Sequence, residues 1–453
     1  MSLLAHLHKL IKYYSPSSEG DSLPCEEPRQ GSAKTPPANL KLHGTVSMST
    51  LDQTSRLLDE KPSSAGLRVA LVHERLNVMA GSDKVLCTMH HMFPDAPIFT
   101  AIADRRLVAS YLADAQIHTS FLQKLPLVAK HHQKFLPLYM LAFEQFDLSD
   151  FDLVISSSHC GAKAIITKPR ACHISYCYSP MRYAWDMQHT YTKFQNRALR
   201  AVWAMLSNYV RIWDLSTAFR VDYFVAISRH IARRIQKFYG KPAAAVIYPP
   251  VDIDRFAVSS SIDDYYLVVS RFAPYKRVDL IIQAFNRLGR RLVVIGDGEQ
   301  DTYLERIAGR NIEFKGHVSD DELVEYLAHC KALVHSAEED FGINMVESLA
   351  SGRPVVAYGV GGAAEIVDPD VSGVLFPEAT EDSLLSALRE CESRTWDPEA
   401  IRTSSLRFST ARFEQEFGQF VEWALNDFQH GGEAMFPNSH PEFNAGPVQR
   451  SWR

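Results

Sequence analysis

Short apolar runs of strand length alternate with stretches of helical period from about residue 67 to residue 405 of this 453-residue chain. The alternation breaks once, at Pro249-Pro250-Val251-Asp252. Parallel strands need a long crossover between them, and a helix is its usual form, so this pattern leaves few folds open. The first series of predicted strands is Arg68–His73, Pro97–Ile102, Asp152–Ser157, His173–Cys177, Tyr223–Ile227 and Ala245–Tyr248. The second is Tyr265–Ser270, Arg291–Ile295, Ile312–Phe314, Ala332–His335 and Pro354–Ala357. Two such series predict two doubly wound, Rossmann-like α/β domains over residues 67–248 and 249–405, facing a deep cleft. The cleft is the default place for a ligand. Residues 406–428 carry a helical spacing of aromatics and predict a closing helix across a domain surface. Residues 1–66 and 429–453 lack a sustained period and are expected to be a disordered leader and tail.

Charge and cysteine content narrow the function classes. The 48 basic and 53 acidic residues leave a net charge of −5, which argues against a nucleic-acid partner. No apolar run approaches the length that spans a bilayer. The seven cysteines contain no Cys-x-x-Cys pair and read as reduced thiols of a cytosolic protein.

The chemistry gathers at strand ends. Glu339 and Glu347 stand eight positions apart, with Gly342 between them and a helical apolar pattern after it. Glu339 is therefore expected on a loop and Glu347 about one turn into a helix. The backbone N–H groups of Phe341, Gly342 and Ile343 would crown that helix and favour an anion. Two carboxylates beside such a helix start suit a polyhydroxylated, phosphorylated ligand. Ser270-Arg271 and Lys276-Arg277 follow a predicted strand and offer a planar fork and a point charge for a diphosphate; alone, they are equally a solvated basic loop. Gly296-Asp297-Gly298 lacks the third glycine of a dinucleotide fingerprint and by itself is a tight turn. Gly316-His317-Val318 can let a flat ring approach, or simply precede a helix capped by Ser319. Gly359 to Glu365 either admits a sugar or reverses the chain. In the first half, Gly81 opens a helix just after the first strand, as a phosphate-facing turn or an ordinary helix start. His159, Tyr178 and Arg182 fall at strand ends on the cleft side.

Taken together, these segments resemble glycosyltransferase family 4, retaining enzymes of the GT-B fold. The resemblance is carried by Arg271…Lys276-Arg277, Gly296-Asp297-Gly298, Glu339-Asp340-Phe341-Gly342-Ile343…Glu347, Ser351-Gly352-Arg353-Pro354 and Gly361 to Glu365. The first-half runs Ile155–His159, Pro180–Asp186, Arg211–Asp214 and Ala245–Asp252 look like the bacterial polysaccharide branch, which includes mannosyltransferases. The resemblance covers roughly residues 67–425 and is more specific in the second half. It implies that Arg271 and Lys276 bind the donor diphosphate and stabilise the leaving nucleotide. It implies Glu347 on the ribose and Glu339 on the transferred sugar, with Phe341, Gly342 and Ile343 approaching through backbone. Gly296 belongs to the same donor side, Gly316, His317 and Val318 would flank the base, and Gly81 would face the diphosphate across the cleft. His159, Tyr178 and Arg182 are left as cleft or acceptor contacts. No cofactor or metal is implied, since the nucleotide sugar is itself the donor substrate. Two departures stand out: Ala80-Gly81 where relatives carry a glycine pair, and Tyr178 where they often carry histidine.

The implied reaction passes a sugar, mannose from GDP-mannose, to a polyprenyl-diphosphate-linked saccharide in exopolysaccharide or O-antigen synthesis. The implied location is cytoplasmic, peripheral at the inner face of the plasma membrane. The alternatives are a UDP-sugar-dependent enzyme of the same fold and a catalytically weak sugar-nucleotide-binding protein. Phe121–Phe143 and Arg197–Trp213 mix basic residues with aromatic and aliphatic ones, a composition shared by half-buried helices and by helices on an anionic membrane surface.

Overall fold

The computed structural model describes residues 66–125, 128, 135–187 and 197–431. The expected leader and tail therefore lie, apart from Gly66 and residues 429–431, outside the described residues.

Seven parallel strands form the first sheet: β1 (Val69–His73), β2 (Ile98–Thr100), β3 (Ile117–Thr119), β4 (Leu153–Ser158), β5 (Cys172–Cys177), β6 (Tyr223–Ala226) and β7 (Ala245–Val246). Their order is β3-β2-β1-β4-β5-β6-β7. The helices that matter to the site here are α1 (Gly81–Met92), α2 (Leu136–Glu144), α3 (Arg197–Ala218) and α4 (Arg229–Tyr239). Every residue of β1, β4 and β5 is buried, as expected where helices cover both faces of a parallel sheet. One face packs Ala70, Val72, Phe99, Phe143 and Val154 into a single apolar cluster.

The second sheet contains β8 (Tyr266–Val269), β9 (Leu292–Ile295), β10 (Ile312–Gly316), β11 (Leu333–His335), β12 (Val355–Tyr358) and β13 (Gly373–Phe376). These six are also parallel, in the order β10-β9-β8-β11-β12-β13. Helices α5 (Val278–Leu288) and α6 (Ile343–Ala350) follow β8 and β11. Val268, Phe285, Val294, Val334, Val356 and Phe376 share its core.

Strand order reverses between β1 and β4 in the first sheet, and between β8 and β11 in the second. Chain leaving the carboxyl ends of such neighbouring strands diverges and opens a crevice. The segments bearing Lys276 and Glu339 leave β8 and β11, so topology brings them to one crevice.

The chain crosses between the domains twice. Val251 N–H donates to Phe408 O at 2.9 Å, which lays the outgoing and returning segments side by side. The return leads into α7 (Thr410–Gln429), capped by Ser409, whose hydroxyl accepts from Arg412 N–H. Phe413, Phe417, Phe420 and Ala424 line its buried face. That face meets the first domain: the rings of Phe413 and Phe417 pack edge-on against Tyr176, and Tyr223 Oη donates to Asp427 Oδ2 at 2.7 Å.

Two strands were absent from the expected set. β3 is three residues long at a sheet edge, and its His118 and Thr119 are exposed, so no apolar run marks it. β13 is a four-residue edge strand opened by a glycine. The stretch 121–143 is a 3₁₀ turn, Phe121–Lys124, followed by α2; most of the chain between lies outside the described residues. No described helix is long and apolar enough to cross a membrane.

The first domain also buries an ion pair. Lys163 Nζ donates to Asp214 Oδ1 and to Thr217 Oγ1. Trp185 Nε1 and Tyr239 Oη donate to the same carboxylate, at 2.7 Å and 3.1–3.2 Å. Asp214 is fully buried, and three donors satisfy its carboxylate. Asp214→Ala is therefore expected to cost about 3–5 kcal/mol by leaving the Lys163 ammonium unpaired. Urea unfolding checks this, and Asp214→Leu with Lys163→Met should cost less than Asp214→Ala alone.

Candidate functional site

Glu339 lies on the segment that leaves β11, and its backbone bridges to Gly361 in parallel register. Its carboxylate pairs with Lys276 Nζ from the loop after β8, and His335 Nε2 stands 3.5 Å away. Only 14 % of the Glu339 side chain and 18 % of the Lys276 side chain remain exposed. Burial pushes the Glu339 pKa up, but the charges of Lys276 and His335 outweigh it and hold the carboxyl well below the usual range. Burial lowers the Lys276 pKa, and Glu339 more than restores it. Both groups are thus charged at neutral pH.

The Lys276 loop is held on both sides. Ser336 Oγ donates to Arg277 O at 2.7 Å, and Asn344 Nδ2 to Val269 O at 2.6 Å. Arg277 has φ 52°, the single positive φ among the described non-glycine residues. Such conformations are uncommon outside glycine and persist where neighbours impose them. Arg271, by contrast, is exposed, with Glu299 Oε1 at 3.9 Å from its guanidinium. It is free to swing onto a ligand.

Gly342, at φ 110°, caps α6, whose first residue is Ile343. Glu347 follows one turn in. Among the described residues its carboxylate has no hydrogen-bond partner in the structure. Burial raises its pKa, opposed by Lys84 at the first turn of α1. A half-buried acid without partners is a polar group awaiting a donor.

The two domains meet where helices α1 and α6 begin. A Cβ on Gly81 would stand 2.7 Å from Ile343 Cδ1, which brings these two helix starts into contact. The positive ends of both helices then face one place, which favours an anion there. Lys84 on α1 was not singled out from sequence; a lone lysine on a helix carries no signal until the opposite domain is placed.

The glycine-rich turns serve packing first. A Cβ on Gly296 would fall 1.9 Å from Ser270 O, and one on Gly298 2.8 Å from Phe272 N. These glycines bring two strand ends together. Likewise Gly361 and Gly362 lie against the backbone of Glu339 and Phe341, and Gly362 N–H donates to Glu339 O at 2.9 Å. Gly316, at φ 64°, has open space where a Cβ would be, and exposed His317 and half-buried Val318 follow it. Those three line an open edge. The Phe341 ring is buried between Tyr248 and Phe408 at the domain crossing, so only its backbone faces the crevice.

The first-domain residues take more structural parts than expected. Tyr178 Oη lies 2.9 Å from Ser157 Oγ and donates to Ser82 O at 3.1 Å, bracing β5 against α1. Burial drives its pKa far up, so the phenol stays protonated. Arg182, expected as a cleft or acceptor contact, donates through Nε to Asp340 Oδ1 at 3.1 Å and joins the domains. Glu365 caps α4: its carboxylate accepts from Arg229 N–H at 2.8 Å and His230 N–H at 2.9 Å. His159 is half-buried beside Glu74, and burial lowers its pKa against the pull of that carboxylate. Sequence reading missed Glu74. It is 1 % exposed and accepts from Ser158 Oγ and from the N–H groups of His159, Cys160, Gly161 and Ala162 at 2.7–3.1 Å. Only the turn after β4 shows that a nest of donors exists for it.

For Glu347 the folded-state pKa lies above the unfolded one, so its cost to stability is absent at low pH and complete above the folded pKa. Glu347→Gln is accordingly expected to raise the melting temperature of the ligand-free protein at pH 7 by about 2–4 °C. The gain should vanish at pH 4, as differential scanning calorimetry can show.

Two family models match the chain: "Glycosyltransferase Family 4" over residues 112–255 and "Glycosyl transferases group 1" over residues 252–404. Curated relatives align over part of their length. An uncharacterized glycosyltransferase of Methanocaldococcus jannaschii is 28 % identical over 207 residues, 45 % of this chain and 56 % of that protein. The O-antigen chain mannosyltransferase C of Escherichia coli is 26 % identical over 163 residues, 34 % and 43 % of the two chains. A GDP-mannose-dependent alpha-mannosyltransferase of Mycobacterium tuberculosis is 34 % identical over 139 residues, 28 % and 36 % of the two chains. The chain thus matches roughly half, or less, of each relative's length. Among solved structures, Anabaena HepE in complex with UDP superposes with TM-score 0.59 at 18 % identity, covering 79 % of this chain and 100 % of that one. That likeness concerns the fold. Matched by two glycosyltransferase models, each over about a third of its length, and built from two parallel-sheet Rossmann-like domains, the chain is similar to glycosyltransferases and has the GT-B architecture.

Proposed function

We propose that this protein is a retaining glycosyltransferase that moves mannose from GDP-mannose to a polyprenyl-diphosphate-linked saccharide, in the bacterial polysaccharide branch of its family. The observation that carries the reading is the crevice between β8 and β11. There a charged Lys276–Glu339 pair stands beside the start of α6, and the carboxylate of Glu347 lacks a partner one turn further on. In this reading Glu347 accepts from the ribose hydroxyls and Glu339 from the sugar being moved. Lys276 and Arg271 neutralise charge on the departing diphosphate, the contribution by which such sites lower a barrier. The acceptor hydroxyl attacks on the face the diphosphate leaves, which retains configuration without a covalent enzyme intermediate. The bond to the diphosphate oxygen breaks as the new glycosidic bond forms, and the acceptor proton passes to the leaving phosphate. No metal or cofactor takes part.

The names of the Escherichia coli and Mycobacterium tuberculosis relatives support mannose, and the latter supports a guanine nucleotide. HepE was crystallised with UDP, so the base is the part to test first. In thermal-shift measurements with GDP-mannose, UDP-glucose and UDP-N-acetylglucosamine, the largest shift is expected with GDP-mannose, and Glu347→Ala should abolish it. A larger shift with either UDP sugar would overturn the donor assignment. With a lipid-linked acceptor, Lys276→Ala should lower kcat by about 10²–10³-fold. Excess EDTA should leave the wild-type rate unchanged.

The acceptor places the enzyme at the inner face of the plasma membrane, peripheral and in contact with anionic lipid. Support comes from the first domain. Met205, Leu206, Tyr209 and Ile212 of α3 and Leu138 and Leu141 of α2 are exposed, and both helices border the turn at Ala162–Ala164. Exposed apolar residues clustered in this way favour a lipid interface. Flotation with liposomes containing phosphatidylglycerol should carry the protein up, and Met205→Ser with Ile212→Ser should reduce the floated fraction several-fold. Equal flotation with neutral liposomes would count against an anionic surface.

A further inference from the structure

Three consecutive acidic residues, Glu338, Glu339 and Asp340, face different partners, and the last two face cations. Glu338 Oε1 stands 3.6 Å from His230 Nε2, and Glu339 pairs with Lys276. The Asp340 carboxylate accepts from Arg182 Nε at 3.1 Å, from Arg182 Nη2, and from Arg234 Nη1 at 3.4 Å. Arg234 is itself held by Asp186 Oδ1, which accepts from Nη2 at 2.9 Å. The backbone is gripped too: Ser228 Oγ donates to Asp340 O at 2.7 Å while accepting from Ile231 N–H at 3.1 Å. Arg182, Asp186, Ser228, His230 and Arg234 all belong to the first domain, whereas Lys276 belongs to the second.

Successive side chains of an extended segment point to opposite sides. The bridge between Glu339 and Gly361 keeps this segment extended, so Glu339 turns to the Lys276 loop and Asp340 to the first domain. Rotation of the segment about its axis would move both side chains at once. Phe341, buried between Tyr248 and Phe408, fixes the end of the segment, and Gly362 N–H, donating to Glu339 O at 2.9 Å, holds its backbone, which leaves the side chains to be set by their ion pairs.

Resting on the donor-site reading above, we infer that Asp340 is a positioning residue: its ion pair with Arg182 and Arg234 of the opposite domain sets the orientation of Glu339 toward the donor. The donor site of the second domain is then complete only while the first domain is paired with it. Asp340 and Arg182 act as one unit, and removing either has the same consequence.

A double-mutant cycle tests this by titrating the full chain with GDP-mannose in isothermal calorimetry, using wild type, Asp340→Asn, Arg182→Gln and the double variant. Each single change is expected to weaken binding about tenfold, and the double variant should bind no more weakly than the weaker single, because coupled residues are not additive. Should Asp340→Asn fold poorly, Arg234→Gln attacks the same pair from the other domain and should weaken binding in the same direction. Singles that bind like wild type while melting earlier would assign Asp340 to stability alone and overturn the inference. So would losses that multiply in the double variant. Wild-type protein that binds no nucleotide sugar would overturn the donor-site reading itself, an outcome distinct from normal wild-type binding with undisturbed variants.

Discussion

Placing two adjacent carboxylates, Glu339 and Asp340, at a largely buried domain interface is costly unless each is matched, because desolvation disfavours the charged form. The pair meets that constraint with cations drawn from both domains, and much of the site's architecture follows from it. Lys276 must lie at the end of β8, next to β11, for Glu339 to be paired. Arg182 and Arg234 must reach across for Asp340. Gly361 and Gly362 must be glycines for the segment to lie flat against the neighbouring turn. Glu347, one helical turn beyond, is the carboxylate that this network leaves unmatched.

The same constraint separates binding groups from structural ones. Asp214 and Glu74 are as deeply buried as any acid among the described residues, yet each is saturated with donors. They hold the first domain together and offer nothing to a ligand. Glu347 has burial without partners, and Arg271 has charge without burial. In the proposed function those two unfinished states are what a nucleotide sugar completes, one through its ribose and the other through its diphosphate.

Most of the eleven legible strands were so because a strand buried on both faces has to be a continuous apolar run, as Val69–His73 and Leu292–Ile295 are. β3 and β13 were not, since short edge strands can be held by one neighbour with little apolar content. Lys276, Glu339 and Glu347 were legible because each follows a strand or helix start closely enough for local geometry to aim it. Gly296 and Gly361 were legible as glycines, but their partners, Ser270 O and Glu339 O, come from other turns. Arg182 was read as a cleft residue, and only the opposite domain reveals that Asp340 occupies it.

Sequence alone was enough to determine the α/β class, the two series of parallel strands and the strand-end positions of the chemical groups. Periodicity and chain-breaking residues act over a few residues and need no partner to be read. Tertiary structure decided which of the charges are already neutralised. Asp340 lies 158 residues from Arg182 and 106 from Arg234, and no local rule links them. Ion pairing depends on distance and burial in space, so the difference between a saturated acid such as Asp214 and an open one such as Glu347 exists only once the chain has folded.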